Sequence, residues 1–252
     1  MRSLSSLGAL LDRDPAQPFV TFYDHDTGER VELSAATAAN WVAKTANLLS
    51  ALGLEPGARV AVLLPVHWQA SVVLLACWSV GAEVVLAPVD GPVGLTVAAA
   101  DRLAEARRHG ADDILALSLA PFGAPLPLLP AAVLDYAREV PGHADRFAGP
   151  VVDPQAPALS LAGRRYAADE LTEAAHALAA RHRLTAGQRL LSVLPYDTRD
   201  GLDAGLLAPV VAGAAVVLVR HADPTRLPAL AANEHVTHTA GLTIADLPRL
   251  DG

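Results

Sequence analysis

Two stretches of this chain spell the same succession of hydrophobic and turn signals, and that internal repeat constrains the fold more than any single motif does. The early text TGERVELSAATAANWVAKTANLLSALGLEPGARVAVLLPVHWQASVVLLACWSVGAEVVLAPV is matched by AGRRYAADELTEAAHALAARHRLTAGQRLLSVLPYDTRDGLDAGLLAPVVAGAAVVLV. Gly28 pairs with Gly163, Gly57 with Gly187, Pro65 with Pro195 and Gly81 with Gly213, at offsets of 130 to 135 residues. The repeat of 28–88 with 163–218 predicts two related lobes, 1–150 and 151–252.

Each copy reads as the same structural programme. A hairpin comes first, with FVTFY and RVEL flanking a turn that ends in Gly28, and ALSL and RRYA flanking Ala162 and Gly163. An amphipathic helix follows, with Ser34 or Asp169 as N-cap. A glycine turn then feeds an apolar strand ending at Pro65 or Pro195, a helix apolar nearly all round, and a further strand. Strand, helix and strand in that order make a right-handed parallel crossover. The predicted fold class is therefore α/β, with mostly parallel sheets flanked by helices. Between the copies, Asp101 to His109 reads as a charged helix and DDILALSL as a strand. Prolines 121, 125, 127 and 130 exclude regular structure, and a linker surrounds a short helix before Pro157.

Composition removes several classes of function. Apolar residues make up 52% of the chain and mean hydropathy is +0.31, so a packed domain is expected. The formal charge of −8 opposes binding to nucleic acid or anionic membranes. No apolar run reaches the roughly 18 residues of a spanning helix, and Met1 to Pro15 lacks the charged and apolar regions of a signal peptide, so a cytoplasmic protein is expected. Cys77 lies in an apolar run and reads as a buried thiol. Of the 19 Lys and Arg residues only Lys44 is a lysine, and its helical context reads as packing rather than catalysis.

The segment LEPGARVAVLLPVHWQASVVLLACWSVGAEVVLAPVD resembles the first lobe of the adenylate-forming superfamily, which includes acyl-CoA synthetases and nonribosomal adenylation domains. LLSVLPYDTRDGLDAGLLAPVVAGAAVVLV followed by VTHTAGL resembles the start of their second lobe, and the whole resembles a short uncharacterised family from high-GC bacteria that keeps only this front portion. In the full-length enzymes the resemblance implies ATP, magnesium and a carboxylic acid reacting to an acyl-adenylate. It also implies a Ser/Thr/Gly-rich phosphate loop, a Tyr-Gly-x-Thr-Glu motif, a ribose-binding Asp and a lysine on a C-terminal domain.

Those elements are missing from the sequence. Between Asp153 and Asp169, where the phosphate loop belongs, stand one Ser, one Gly, no Thr and no Lys. Without glycines the backbone cannot turn successive N–H groups onto one anion. Arg164 and Arg165 are the substitutes, with Arg165 the phosphate candidate, but neighbours on a strand point to opposite faces and cannot clamp together. The chain ends before the later motifs, so no catalytic residue is assigned.

The resemblance implies a vestigial cleft lined by Tyr196, Asp197, Gly241, Leu242 and Thr243, which follow the carboxyl ends of two strands. Asp203 complements a helix dipole, while Asp197 and Asp200 carry a competing magnesium reading. His235 and His238 read as strand histidines rather than a metal pair, and His25 as part of a hairpin turn. His67 and His109 stand alone and read as ordinary surface. No metal site is assigned. No cofactor is expected, with AMP or ATP plus magnesium the one nucleotide alternative. The reading is a degenerate adenylate-forming relative without adenylation activity of its own, binding an unknown protein partner or a small acyl or nucleotide ligand. The alternative is one half of a split enzyme whose remaining lobe comes from another chain.

Overall fold

The structure, a computed structural model, describes residues 13–250. The signal-peptide reading rests largely on residues 1–12, which lie outside that range. The chain forms two compact units. Among the described residues, one consists of 39–65 and 69–169 and the other of 13–38, 66–68 and 170–250. Each is built on a mostly parallel sheet with helices, as the hydrophobic patterning predicts.

The larger sheet contains β3 (Arg59–Leu63), β4 (Glu83–Val85), β5 (Leu95–Ala99), β6 (Asp113–Leu117), β7 (Leu134–Asp135) and the hairpin β8 (Pro157–Leu161) and β9 (Arg164–Ala167), in the order β7-β6-β5-β3-β4-β8-β9. The smaller contains the hairpin β1 (Pro18–Asp24) and β2 (Arg30–Ser34) with β10 (Arg189–Ser192), β11 (Ala215–Arg220) and β12 (His238–Ala240), in the order β12-β10-β11-β1-β2. The hairpins are exchanged. β1 pairs in parallel with β11, and β8 pairs in parallel with β4, so each sheet is completed by the hairpin from the other half of the sequence. Residue 150, the boundary drawn from the repeat, lies inside the unit that contains 69–169.

Both hairpins lead directly into long helices, α1 (Ala35–Ala51) and α3 (Ala168–His182), with the apolar α2 (Trp68–Ser79) between them in sequence. Ser34 caps α1, its hydroxyl accepting the Thr37 N–H at 3.2 Å. Asp169 is not a cap. It lies inside the first turn of α3, whose leading N–H groups reach loop carbonyls instead, Ala168 to Ala156 at 3.0 Å and Asp169 to Pro154 at 2.9 Å.

The α2 sequence, apolar on all sides, is buried along its length, and Trp78 donates its indole N–H to the Ala158 carbonyl at 2.9 Å. Leu74, Leu75, Leu95 and Leu115 are also fully buried in that unit, each contributing about 1.5–3 kcal/mol of transfer free energy. Burial pushes the Cys77 thiol up to about 12, consistent with a packing role. The predicted charged helix at 101–109 is instead a single α-turn, Leu103–Ala106, between two 3-10 turns. Among the described residues, no helix is long and apolar enough to cross a membrane.

Candidate functional site

Where the phosphate loop would stand, the chain makes a two-residue hairpin turn. Ala162 (φ 51°) and Gly163 (φ 76°) are both left-handed, the geometry that suits the twist of β8 and β9. Arg165 on β9 is engaged within the protein. Its Nε donates to Glu83 Oε1 at 2.9 Å and its Nη2 pairs with Oε2. The Ser160 hydroxyl donates to the same Oε1 at 2.7 Å, and Arg59 Nε stands 3.6 Å from Oε2. Burial by itself would raise the Glu83 pKa, but the bonds from Arg165 and Ser160 outweigh it and hold the carboxyl below its ordinary value. Arg164 points the other way, its guanidinium 4.4 Å from the Tyr166 ring centroid. A triphosphate with magnesium has neither the backbone cradle nor an uncommitted Arg165 here, so these residues do not fit that group.

After β10 the backbone folds tightly under a composite helix, α4 (residues 199–212), made of Arg199–Leu202, a π-turn over Asp203–Leu207 and Ala208–Ala212. Thr198 caps it, accepting the Gly201 N–H at 3.1 Å while donating to the Pro195 carbonyl at 3.0 Å. Tyr196 is buried beneath Gly205, with its hydroxyl 3.3 Å from the Gly205 carbonyl. Asp197 and Asp200 are exposed. Asp203 lies within the π-turn rather than at the helix start, and its Oδ2 accepts Arg199 Nε at 2.6 Å.

Gly241, Leu242 and Thr243 meet in an apolar hollow of about 370 Å³, with Val193, Leu227 and Ile244 among the other walls. Val193 follows β10, Ala222 follows β11, and Gly241 follows β12, so the hollow opens at the carboxyl ends of three neighbouring parallel strands. From β10 the chain crosses to β11 on one side and then returns to β12 on the other. Right-handed crossovers in opposite directions place α4 and α5 (Leu227–Asn233) on opposite faces, which makes the end of β10 a switch point. The structure thus gathers three of the five cleft residues around the hollow, while Tyr196 and Asp197 are not among its walls. Val193, Leu227 and Ile244 lacked any motif, and only their position after or between strands could have pointed to them.

Of the histidines, His25 and His238 stand where the sequence places them, in a hairpin turn and a strand, while His67 and His235 do not. His67 is 1% exposed rather than at the surface, its Nε2 3.9 Å from Glu29 Oε2 and its ring edge-on to Phe22 at 4.4 Å. Burial lowers its pKa more than Glu29 raises it. His238 is buried in β12, with Nε2 3.1 Å from the His182 carbonyl, whereas His235 is exposed outside the strand. His25 Nδ1 accepts the Asp223 N–H at 2.9 Å. Lys44 donates to the carbonyls of Pro141 and His143 at 3.3 and 2.5 Å, a structural clasp. Among the described residues, no three His, Cys, Asp or Glu side chains converge to hold a metal ion.

Comparisons with known proteins agree with this architecture. Residues 10–99 match a family model described as AMP-binding enzyme. A Mycobacterium tuberculosis protein described as a TIGR03089 family protein is 43% identical over 240 residues, covering 91% of this chain and 96% of the relative. Apo MatB from Rhodopseudomonas palustris matches with a TM-score of 0.76 at 20% identity, over 95% of this chain and 49% of that one. An acyl-CoA synthetase from Brucella canis matches with a TM-score of 0.77 at 18% identity, over 95% of this chain and 47% of that one. The chain spans about half the length of these solved proteins, and the likeness to them is one of fold.

Proposed function

This chain belongs to the TIGR03089 family, and from that premise we propose that it is a cytoplasmic ligand-binding module on an acyl-CoA synthetase-like scaffold, with no adenylation activity of its own. The observation that carries this reading is the tight turn at Ala162 and Gly163 beside an Arg165 already committed to Glu83. Electrostatic catalysis of adenylate formation requires donors preorganised around the transferring phosphoryl group. The hairpin supplies none.

The ligand reading is supported by the hollow at the end of β10. Val193, Leu227, Leu242 and Ile244 provide apolar walls and Thr243 one hydroxyl, with no cation among the lining residues. That lining matches a short aliphatic acyl chain rather than a triphosphate. Pyrophosphate exchange into ATP, assayed with the chain alone and a range of carboxylic acids, tests the absence of adenylation. Background exchange throughout is expected. Exchange that disappears on Leu242→Trp overturns the proposal and favours an active or half-active enzyme.

A further inference from the structure

The loop after β11, residues 221–226, supplies two walls of the hollow at the end of β10, Ala222 and Pro224. Asp223, between them, is tied to the turn of the β1–β2 hairpin, its backbone N–H donating to His25 Nδ1 at 2.9 Å. A backbone amide only donates, so Nδ1 is the bare nitrogen of a neutral ring and Nε2 carries the proton. The His25 backbone is pinned as well, its N–H on the Arg220 carbonyl at 3.1 Å and its own carbonyl accepting Arg226 Nη1 at 3.3 Å. The Asp223 carboxylate is committed to Thr225, Oδ1 accepting the backbone N–H at 2.9 Å and the hydroxyl at 2.7 Å. The loop starts at His221 with φ 49°, left-handed backbone that a residue with a side chain adopts at a cost. His221 Nδ1 stands 2.9 Å from Asp24 Oδ1 and 3.4 Å from Asp26 Oδ2.

A proton on His25 Nδ1 removes the acceptor and sets one donor against another. The charged groups around the ring are Asp24 and Asp26 from the hairpin and Asp223 and Arg226 from the loop, with His221 the second titratable ring nearby. Burial and then Arg226 hold the His25 pKa below the ordinary 6.5 against the pull of the three carboxylates, so the bond to Asp223 is intact at pH 7. Protonation of His221 acts the other way, because an imidazolium binds Asp24 and Asp26 more strongly and keeps the start of the loop in place.

We infer that His25 is a proton-operated latch on this hollow: protonation breaks its bond to the Asp223 N–H, frees residues 222–224 from the hairpin and weakens ligand binding against Ala222 and Pro224. The effect on binding rests on the reading of the hollow as an acyl site; the release of the loop does not.

The test follows the Asp223 amide, the Ala222 methyl and the His25 ring by NMR in the ligand-free full chain between pH 7.5 and 5, and titrates hexanamide, which stays uncharged, at both ends. The loop signals are expected to shift along the His25 titration curve, and hexanamide to bind about fivefold more weakly at pH 5, the worth of one hydrogen bond. His25→Asn, whose side-chain oxygen accepts the Asp223 N–H and does not titrate, is expected to hold both constant, while His221→Asn keeps both responses. Loop signals that do not follow the wild-type His25 ring, or a loop response that survives in His25→Asn, overturn the latch. Hexanamide binding of equal strength at both pH values overturns its control of the hollow. No hexanamide binding at either pH overturns the acyl reading instead, and the ligand-free signals then decide the latch by themselves.

Discussion

Arg165 grips Glu83 through both carboxylate oxygens, and this pair joins the hairpin strand β9 to the start of β4 across β8. The Glu83 side chain is 1% exposed and that of Arg165 58% exposed, so the two partners are not energetically equivalent. Removing the arginine lets water approach the acid. Removing the acid leaves Ser160 and Arg59 without their shared acceptor. Glu83→Ala is expected to cost about 2 kcal/mol and Arg165→Ala less than half of that, measured by urea unfolding at pH 7.

The same pair sets an acid dependence. The folded pKa of Glu83 lies below the ordinary 4.5, so its stabilisation is fully present above that value and lost as pH falls through the lowered one. Unfolding of the wild type between pH 6 and 3 should lose more stability than unfolding of Glu83→Gln. Parallel curves for the two proteins would contradict the assignment.

His67 gives a dependence at higher pH. Its folded pKa lies below the ordinary 6.5, so the unfolded chain binds the proton more readily. Stability contributed by neutral His67 is present above pH 6.5 and falls as pH drops through the unfolded and then the folded value. Melting curves from pH 8 to 5 should show a decline that His67→Phe flattens, and an unchanged slope in that variant would refute the burial account.

Two glycines, Gly201 in the first turn of α4 and Gly241 after β12, are held by close approach. A Cβ at Gly201 would run into the Pro195 carbonyl oxygen, which is backbone and cannot step aside. A Cβ at Gly241 would sit 2.7 Å from Leu194 Cδ2, on a residue whose φ is +77°. Gly201→Ala is therefore expected to cost about 3 kcal/mol and Gly241→Ala about 1–3 kcal/mol in thermal or denaturant unfolding. Cost-free substitution at Gly201 would mean that the loop from Pro195 to Gly201 is not as tight as described.

Hairpins, crossover helices and most strands were readable because glycine and proline punctuate them and the repeat reads each of them twice. The matched glycines share their conformation, Gly57 and Gly187 having φ of 85° and 84°. β5 escaped notice because Leu95–Ala99 is short and ends in alanines, with β propensity overridden by burial between β3 and β6. The exchange of hairpins between sheets has no local signal at all. Nor did the burial of His67, whose neighbours Phe22 and Glu29 lie about 40 residues away in sequence. Gly241, Leu242 and Thr243 were named for their place after a strand end and do line a hollow, whereas Tyr196, named on the same ground, has its ring beneath Gly205.

The most direct test is the melting temperature of the wild type and Leu242→Trp with hexanoate, a non-hydrolysable hexanoyl-adenylate analogue, AMP and MgATP. Ligand at a hundred times its Kd stabilises by about 2.7 kcal/mol, which for a chain of this size raises Tm by roughly 5 °C or more. The account predicts that rise with hexanoate and with the analogue, its loss in Leu242→Trp, and no rise with MgATP or AMP. A rise with MgATP in the absence of any response to hexanoate would contradict it.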